Sequence, residues 1–420
     1  MLDNVKRFDM NLPPQRQHLR PLMWLLCFPK LIIKKNKLTK SGMEGIKPPY
    51  LLLCNHNAFM DFYVSTKAIF PHRGNYVVAI DGFLKREWLL RFIGCICKRK
   101  FTKDLVLIRQ LRKVVKRGDI AIIYPEARYS LCGTSAVLPS SMGKLAKFLG
   151  VPVVTLICHG HHINSPFFNL PDHGVKNTRA EMTCILTADD VKEKSADEIQ
   201  EIITKAFEYD DYRWQKENNI RVKYKKRAEG LHKVLYKCPA CGTEYKMSSE
   251  GTTLRCGACG KEWEVSELNE LSAKSGATEF THIPDWYEWE RACVRDEIER
   301  GEYGFSCSAR VDSLPNPERY IDLGIARFTH DMNGFTLEGS YDGEDYKVEI
   351  PAKSLYSCHI EYEYLGKFGD CVDLNTTDDT LYIYPKDCEF SVTKISLATE
   401  ELYKYYRENR DADGNENAVR

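Results

Sequence analysis

Residues 50–61 read Tyr-Leu-Leu-Leu-Cys-Asn-His-Asn-Ala-Phe-Met-Asp. The apolar run at 51–53 is short and closed by polar residues, the pattern of a strand buried within a sheet. Moving outward, residues 75–80 (NYVVAI), 95–99 (CICKR), 121–125 (AIIYP), 151–160 (VPVVTLICHG) and 181–187 (EMTCILT) repeat it. Helical patterns lie between them. One covers 83–94; another covers 103–116, where Leu105, Ile108, Leu111 and Val115 share a face. Residues 196–216 read as the closing helix. Strands alternating with helices of this length give an α/β fold, a mixed or mostly parallel sheet with helices packed on it.

A histidine at the end of a buried strand projects into the crevice where open α/β sheets place ligands. Here that histidine is His56, with Asp61 five residues later. If the chain turns into a helix there, Asp61 can bond one ring nitrogen and leave the other free as a general base. Such a pair taken alone is more often structural than functional. Residues 124–130 (Tyr-Pro-Glu-Ala-Arg-Tyr-Ser) place a carboxylate, a guanidinium and hydroxyls at a second strand-to-loop junction. Arg128 suits a phosphate grip; a turn begun by Pro125 with solvated charges is the plainer alternative.

Four blocks in order make the chain resemble the lysophospholipid acyltransferase family, which includes 1-acylglycerol-3-phosphate acyltransferases, over about residues 20–215. His56 and Asp61 match the His-x4-Asp block. Gly94 and Ile96 match the second block, with Lys100 on its arginine and Arg99 beside it. Pro125, Glu126 and Ser130 match the third, in which Ala127, Arg128 and Tyr129 replace glycine, threonine and arginine. The fourth is Val-Pro-Val-Val-Thr-Leu at 151–156. The resemblance implies that His56, held by Asp61, activates an acceptor hydroxyl against the thioester of acyl-CoA or acyl-carrier protein. It further implies that Glu126, Arg128, Lys100, Arg99, Gly94 and Ser130 bind the acceptor. The implied acceptor is a lysophospholipid, 1-acylglycerol-3-phosphate first, giving phosphatidic acid in phospholipid synthesis. The shifted guanidinium leaves another lysolipid or alcohol open, and a non-catalytic adaptor is the alternative of a different class. The His-Gly-His-His cluster at 159–162 lacks a further ligand at a recognisable spacing and reads as a pocket or loop feature.

After a charged, helical-looking linker at 221–237, Cys238, Cys241, Cys256 and Cys259 form two C-x-x-C pairs separated by 14 residues. Four thiolates so spaced close a tetrahedral site, so the segment 238–270 resembles a zinc ribbon holding a structural Zn2+. The basic run KYKKR at 223–227 is too isolated for a nucleic-acid surface, and none is expected. Residues 280–410 alternate Thr, Val and Tyr with polar residues, the pattern of a small mostly-β domain, with a last helix over 393–407; it faintly resembles a pleckstrin-homology-like fold.

The chain has 420 residues and 43% hydrophobic composition, enough for two or three domains and unlike disordered or collagen-like chains. A net charge of +1 conceals polarity: residues 1–120 carry 24 Lys and Arg against 8 Asp and Glu, and residues 271–420 carry 16 against 31. The basic end suits an anionic membrane surface, and residues 1–40, with PLMWLLCFPKLII before KKNK, read as a membrane-associating segment, an ordinary core-packing helix being the equal alternative for that stretch. The acidic domain suits a protein contact, with the basic acyltransferase domain at 41–220 itself a candidate. No apolar run reaches bilayer length, and Asp3, Asp9, Pro13 and Pro14 exclude a signal-peptide core. Sixteen cysteines without a disulfide-like spacing fit a reducing compartment. The expected location is therefore cytoplasmic, peripheral on the cytoplasmic face of a membrane.

Overall fold

The structure, a computed structural model, describes residue 8, residues 16–102 and residues 104–416. The residues read above against a signal peptide lie outside the described residues, as does Lys103. Seven strands form the first sheet: β1 (Lys37–Ser41), β2 (Leu51–Cys54), β3 (Gly74–Ala79), β4 (Ile96–Lys98), β5 (Ile120–Ile123), β6 (Val153–His159) and β7 (Arg179–Leu186). Their order is β1-β7-β6-β2-β5-β3-β4, and every neighbouring pair is parallel except β6 with β7. This is the mixed sheet read from the sequence. Its middle strands are apolar on both faces because both are covered. Leu52, Cys54, Ile120, Ile122, Val154 and Leu156 enter one core, while Leu51, Leu53, Ala121, Ile123 and Val153 enter the other.

The helices on this sheet are α1 (Arg20–Ile33), α2 (Met60–Ala68), α3 (Ile80–Phe83), α4 (Glu87–Phe92), α5 (Leu105–Lys116), α6 (Met142–Leu149), α7 (Ala188–Glu193), α8 (Ala196–Ala206) and α9 (Asp211–Glu217). Three differ from the sequence pattern. The helix read over 83–94 is broken between α3 and α4, where Lys85 takes a left-handed φ of 57° and its N–H donates to Pro317 O of the C-terminal region. In α5 the buried stripe is Leu107, Leu111, Val114 and Val115; Leu105 is exposed, because Asp104 caps the helix through Leu107 N (2.9 Å) and sets the rotation. The helix read over 196–216 is split, because the Asp210 carboxylate accepts Tyr212 N and Arg213 N and starts α9 afresh.

The linker at 221–237 is helical only over α10 (Leu231–Val234). The two cysteine pairs sit at the edge of an antiparallel ribbon, β8 (Met247–Glu250), β9 (Thr253–Cys256), β10 (Glu262–Val265) and β11 (Leu271–Ala273). Helix α11 (Ile283–Glu299) leads to a second seven-stranded sheet, β12 (Gly304–Ser313), β13 (Ile321–Asp331), β14 (Gly334–Tyr341), β15 (Glu344–Pro351), β16 (His359–Glu361), β17 (Cys371–Asn375) and β18 (Thr380–Lys386). Its neighbouring strands all pair antiparallel, in the order β15-β14-β13-β12-β18-β17-β16. Helix α12 (Val392–Glu416) closes it. The apolar cores are shared between these regions. Leu314, Cys371, Tyr382 and Tyr384 of the C-terminal sheet pack in one cluster with Leu52, Cys54 and Phe83.

Candidate active site

Because β2, β5 and β6 run parallel, their carboxyl ends open on one edge of the sheet, and each delivers chemistry there. Strand β2 ends in Asn55 and His56. The Asn55 side chain locks that end to β6, donating to Cys158 O (3.0 Å) and accepting from Cys158 N (2.8 Å). The chain then turns into α2, where Asp61 lies in the first turn, fully buried. Its Oδ2 accepts Asn57 N (2.6 Å), Ala58 N (2.9 Å) and His56 Nδ1 (3.3 Å). An ionised carboxylate only accepts, so Nδ1 carries the proton and Nε2 of His56 is left with its lone pair. The His56 side chain keeps 24% exposure, between the rings of Tyr124 (4.4 Å) and Tyr129 (4.3 Å).

The other oxygen of Asp61 is taken by a residue the sequence pattern left unassigned. His161 Nδ1 lies 2.5 Å from Oδ1, so one carboxylate orients two imidazoles. Burial alone would raise the Asp61 pKa; the hydrogen bonds and charges of His161 and His56 hold it well below the carboxylate range. The His161 loop is fixed by Asp211 of α9, whose oxygens accept Gly160 N (2.7 Å) and His162 N (2.9 Å). Burial pushes Asp211 up to about 6 against those donors. His159 and His162 are structural: burial lowers them to about 4 and about 3, and His162 Nε2 meets the Tyr212 hydroxyl (3.2 Å). Asp61, Cys158 and His161 also bring donor atoms within 4.8 Å of one another, the arrangement of a group able to hold a metal ion.

Glu126, after β5, is completely buried, and its Oε2 meets the Tyr209 hydroxyl (3.4 Å), which also donates to Asn57 Oδ1 (2.9 Å). Burial, reinforced by the charge of Asp61 and opposed by Arg128, raises its pKa far above the carboxylate range. Glu126 organises the loop through the Tyr209 hydroxyl. Ser130 serves the same loop: its N–H donates to His56 O (2.8 Å) and its hydroxyl to Thr134 O (2.6 Å). Ala127 adopts φ 56°, the left-handed region that favours glycine. Gly94 adopts φ 88° in the turn before β4, with its carbonyl accepting from Asn75 Nδ2 (2.6 Å).

The three cations assigned to a phosphate are placed differently from that expectation, and each faces the C-terminal region. Arg99 donates to Leu314 O, Pro315 O, Asp378 O and Thr380 Oγ1 at 2.6–3.0 Å. Lys100 sits between Asp81 (3.3 Å) and Asp373 (3.2 Å). Arg128 is buried against Glu400 (2.6 Å), Ser396 Oγ (2.5 Å) and Cys358 O (3.2 Å), and Arg291 holds the second oxygen of Glu400 at 2.6 Å. Burial opposes the Glu400 charge, but Arg128 and Arg291 hold its pKa down at about 2. The acidic C-terminal region thus docks on the basic one through buried ion pairs. The ion-pair partners Asp373 and Glu400 lie 273 and 272 residues away in sequence, which is why the motif alone could not show it.

At the other site, the sulfurs of Cys238, Cys241, Cys256 and Cys259 all lie within 4.8 Å of one another, so the cluster could hold a metal ion. The Cys238–Cys259 and Cys241–Cys256 separations are both 3.8 Å. A tetrahedron of metal–sulfur bonds of about 2.3 Å has edges of about 3.8 Å, so the thiols fit the ion without rearrangement.

Residues 33–159, which contain His56, Asp61 and the two strand ends beside them, match the family described as Acyltransferase. This part of the chain is an acyltransferase-family domain. Among solved structures, the chain is similar to the 1-acyl-sn-glycerophosphate (LPA) acyltransferase PlsC from Thermotoga maritima, at 15% identity and a TM-score of 0.39, covering 48% of this chain and 80% of that one. No curated protein matches the chain.

Proposed function

We propose that the protein is a membrane-peripheral O-acyltransferase that moves a fatty acyl group from acyl-CoA or acyl-carrier protein to the free hydroxyl of a lipid acceptor. The observation that carries this is the partly exposed His56 ring, oriented through Nδ1 by a buried Asp61, at the crevice of the family domain. Nε2 takes the acceptor hydroxyl proton, the oxygen attacks the thioester carbonyl, and the carbon–sulfur bond breaks. The leaving thiolate recovers the proton from His56. His161 and Asp211 position Asp61 and the loop around it. The lysophospholipid of the resemblance, 1-acylglycerol-3-phosphate, and other lysolipid or alcohol acceptors share this chemistry.

Association with a lipid surface is supported by α1, which exposes Leu25 (69%) and Ile32 (74%) together with Leu22, Leu26 and Ile33. Trp24 and Phe28 of this helix pack on Phe70, and the exposed Phe59 stands two residues before Asp61 at the lip of the site. Exposed apolar side chains thus stand both on the helix and beside the catalytic crevice. Among the described residues no helix is long and apolar enough to cross a membrane. We also assign Zn2+ to the four cysteines, as a closed structural site that ties the ribbon together and takes no part in acyl transfer.

The test is acyl transfer by the purified chain with lysolipid or alcohol acceptors in detergent, with either donor, beside His56→Ala. Product that requires His56 is the expected result. Product that persists in the variant, or none with any acceptor and donor, would refute the reading.

A further inference from the structure

We infer that the acceptor carries no phosphate monoester, and that its hydroxyl is presented by an uncharged lipid alcohol of the monoacylglycerol kind. This rests on the acyl-transfer reading above and names its substrate class. A phosphate dianion needs cations with donors to offer. The cations of the second and third blocks have most of theirs committed, the buried Nε of Arg128 being the exception. Arg99 makes four hydrogen bonds to groups of the C-terminal region. Both terminal nitrogens of Arg128 are engaged, and Glu400 cannot swing off because Arg291 grips its other oxygen. Lys100 is held by two carboxylates rather than one, so the charge about it is already negative. Lys98, the remaining cation of that block, donates to Thr102 O.

These contacts do not read as a latch. The C-terminal residues making them flank strands whose Leu314, Tyr382 and Tyr384 share an apolar core with Leu52 and Cys54 of the central strand, so freeing the cations would mean separating that core. A phosphate brought in without such a separation would meet Asp81 and Asp373 in a buried place, where like charges repel strongly. What borders His56 instead is aromatic. Tyr129 packs on the His56 ring, Phe167 on Tyr129 (5.7 Å), and Tyr362 on Phe167 (5.4 Å), the last from the C-terminal region. That wall suits glycerol carbons and an uncharged hydroxyl.

The experiment compares monoacylglycerol with 1-acylglycerol-3-phosphate of the same acyl chain, at equal mole fraction in detergent micelles, with acyl-CoA and the full chain. A kcat/KM at least tenfold higher for monoacylglycerol is expected; equal values or a preference for the phosphate overturn the inference. Asp373→Asn removes one guard from Lys100 and should narrow the ratio at least threefold, and an unchanged ratio in a folded variant counts against the guard. Equilibrium binding of both lipids to His56→Ala in the same micelles reads the preference without turnover. Tighter binding of the phosphate lipid, or equal binding, overturns the inference. Preferential binding of monoacylglycerol with no turnover of either lipid would sink the acyl-transfer reading and leave the acceptor class standing.

Discussion

Two charged centres of the acyltransferase domain are built on opposite plans. At His56 a single buried carboxylate, Asp61, is shared by two imidazoles and two backbone N–H groups within one strand-end crevice. At Arg99, Lys100 and Arg128 most partners come from the far C-terminal region, with Asp81 beside Lys100, and they engage both terminal nitrogens of each guanidinium and the Lys100 ammonium. The first centre holds a proton acceptor open to solvent; the second is closed and joins two parts of the chain. Residues that a motif groups together can therefore serve different ends, and burial with its partners decides which.

The contrast can be broken most sharply at His56. His56→Ala should lower turnover by about a thousandfold or more, the usual contribution of a positioned base, with the thermal unfolding midpoint unchanged. At the closed centre the effect should fall on stability instead. Glu400→Gln leaves Arg128 and Arg291 buried without their shared anion, and a loss of about 3–5 kcal/mol is expected in urea unfolding. The Glu400 pKa is depressed to about 2 from an ordinary 4.5, so its stabilisation is complete above pH 4.5 and is lost as pH falls from there toward 2. Acid unfolding of wild type and Glu400→Gln should accordingly converge over that window. Curves that stay parallel would place the acid sensitivity elsewhere.

The ribbon offers a third comparison, since its own core is small. A strong chelator should lower the unfolding midpoint by several degrees and leave acyl transfer below that midpoint intact, as measured by calorimetry and turnover on the same sample. Loss of turnover before unfolding would give the metal a part in the site. The smallest effect sharpens the loop itself. Ala127 sits at φ 56°, so Ala127→Gly should stabilise the protein by about 0.5–1 kcal/mol, read as a small rise in midpoint.

The sheet was legible because its strands are buried on both faces and so read as unbroken apolar runs, and His56 with Asp61 because only five residues separate them. The break at Lys85 was not, since the group that fixes it, Pro317 O, lies in another region. Nor was the split between α8 and α9, where Asp210 restarts the helix and frees Tyr209 to reach Asn57 and Glu126. His161 stood in a histidine cluster that spacing could not resolve; its partner is 100 residues away and is the same carboxylate that serves His56. The glycine position of the third block, filled here by Ala127, was the one local signal that a left-handed turn lay there.

The measurement that bears most directly on acyl transfer at His56 is a single-turnover experiment with radiolabelled acyl-CoA and excess lipid acceptor, run on wild type and on His56→Ala of matched thermal stability. Label appearing in the acceptor ester with wild type and absent with the variant is the predicted result. Equal label in both would contradict the assignment of His56 as the base.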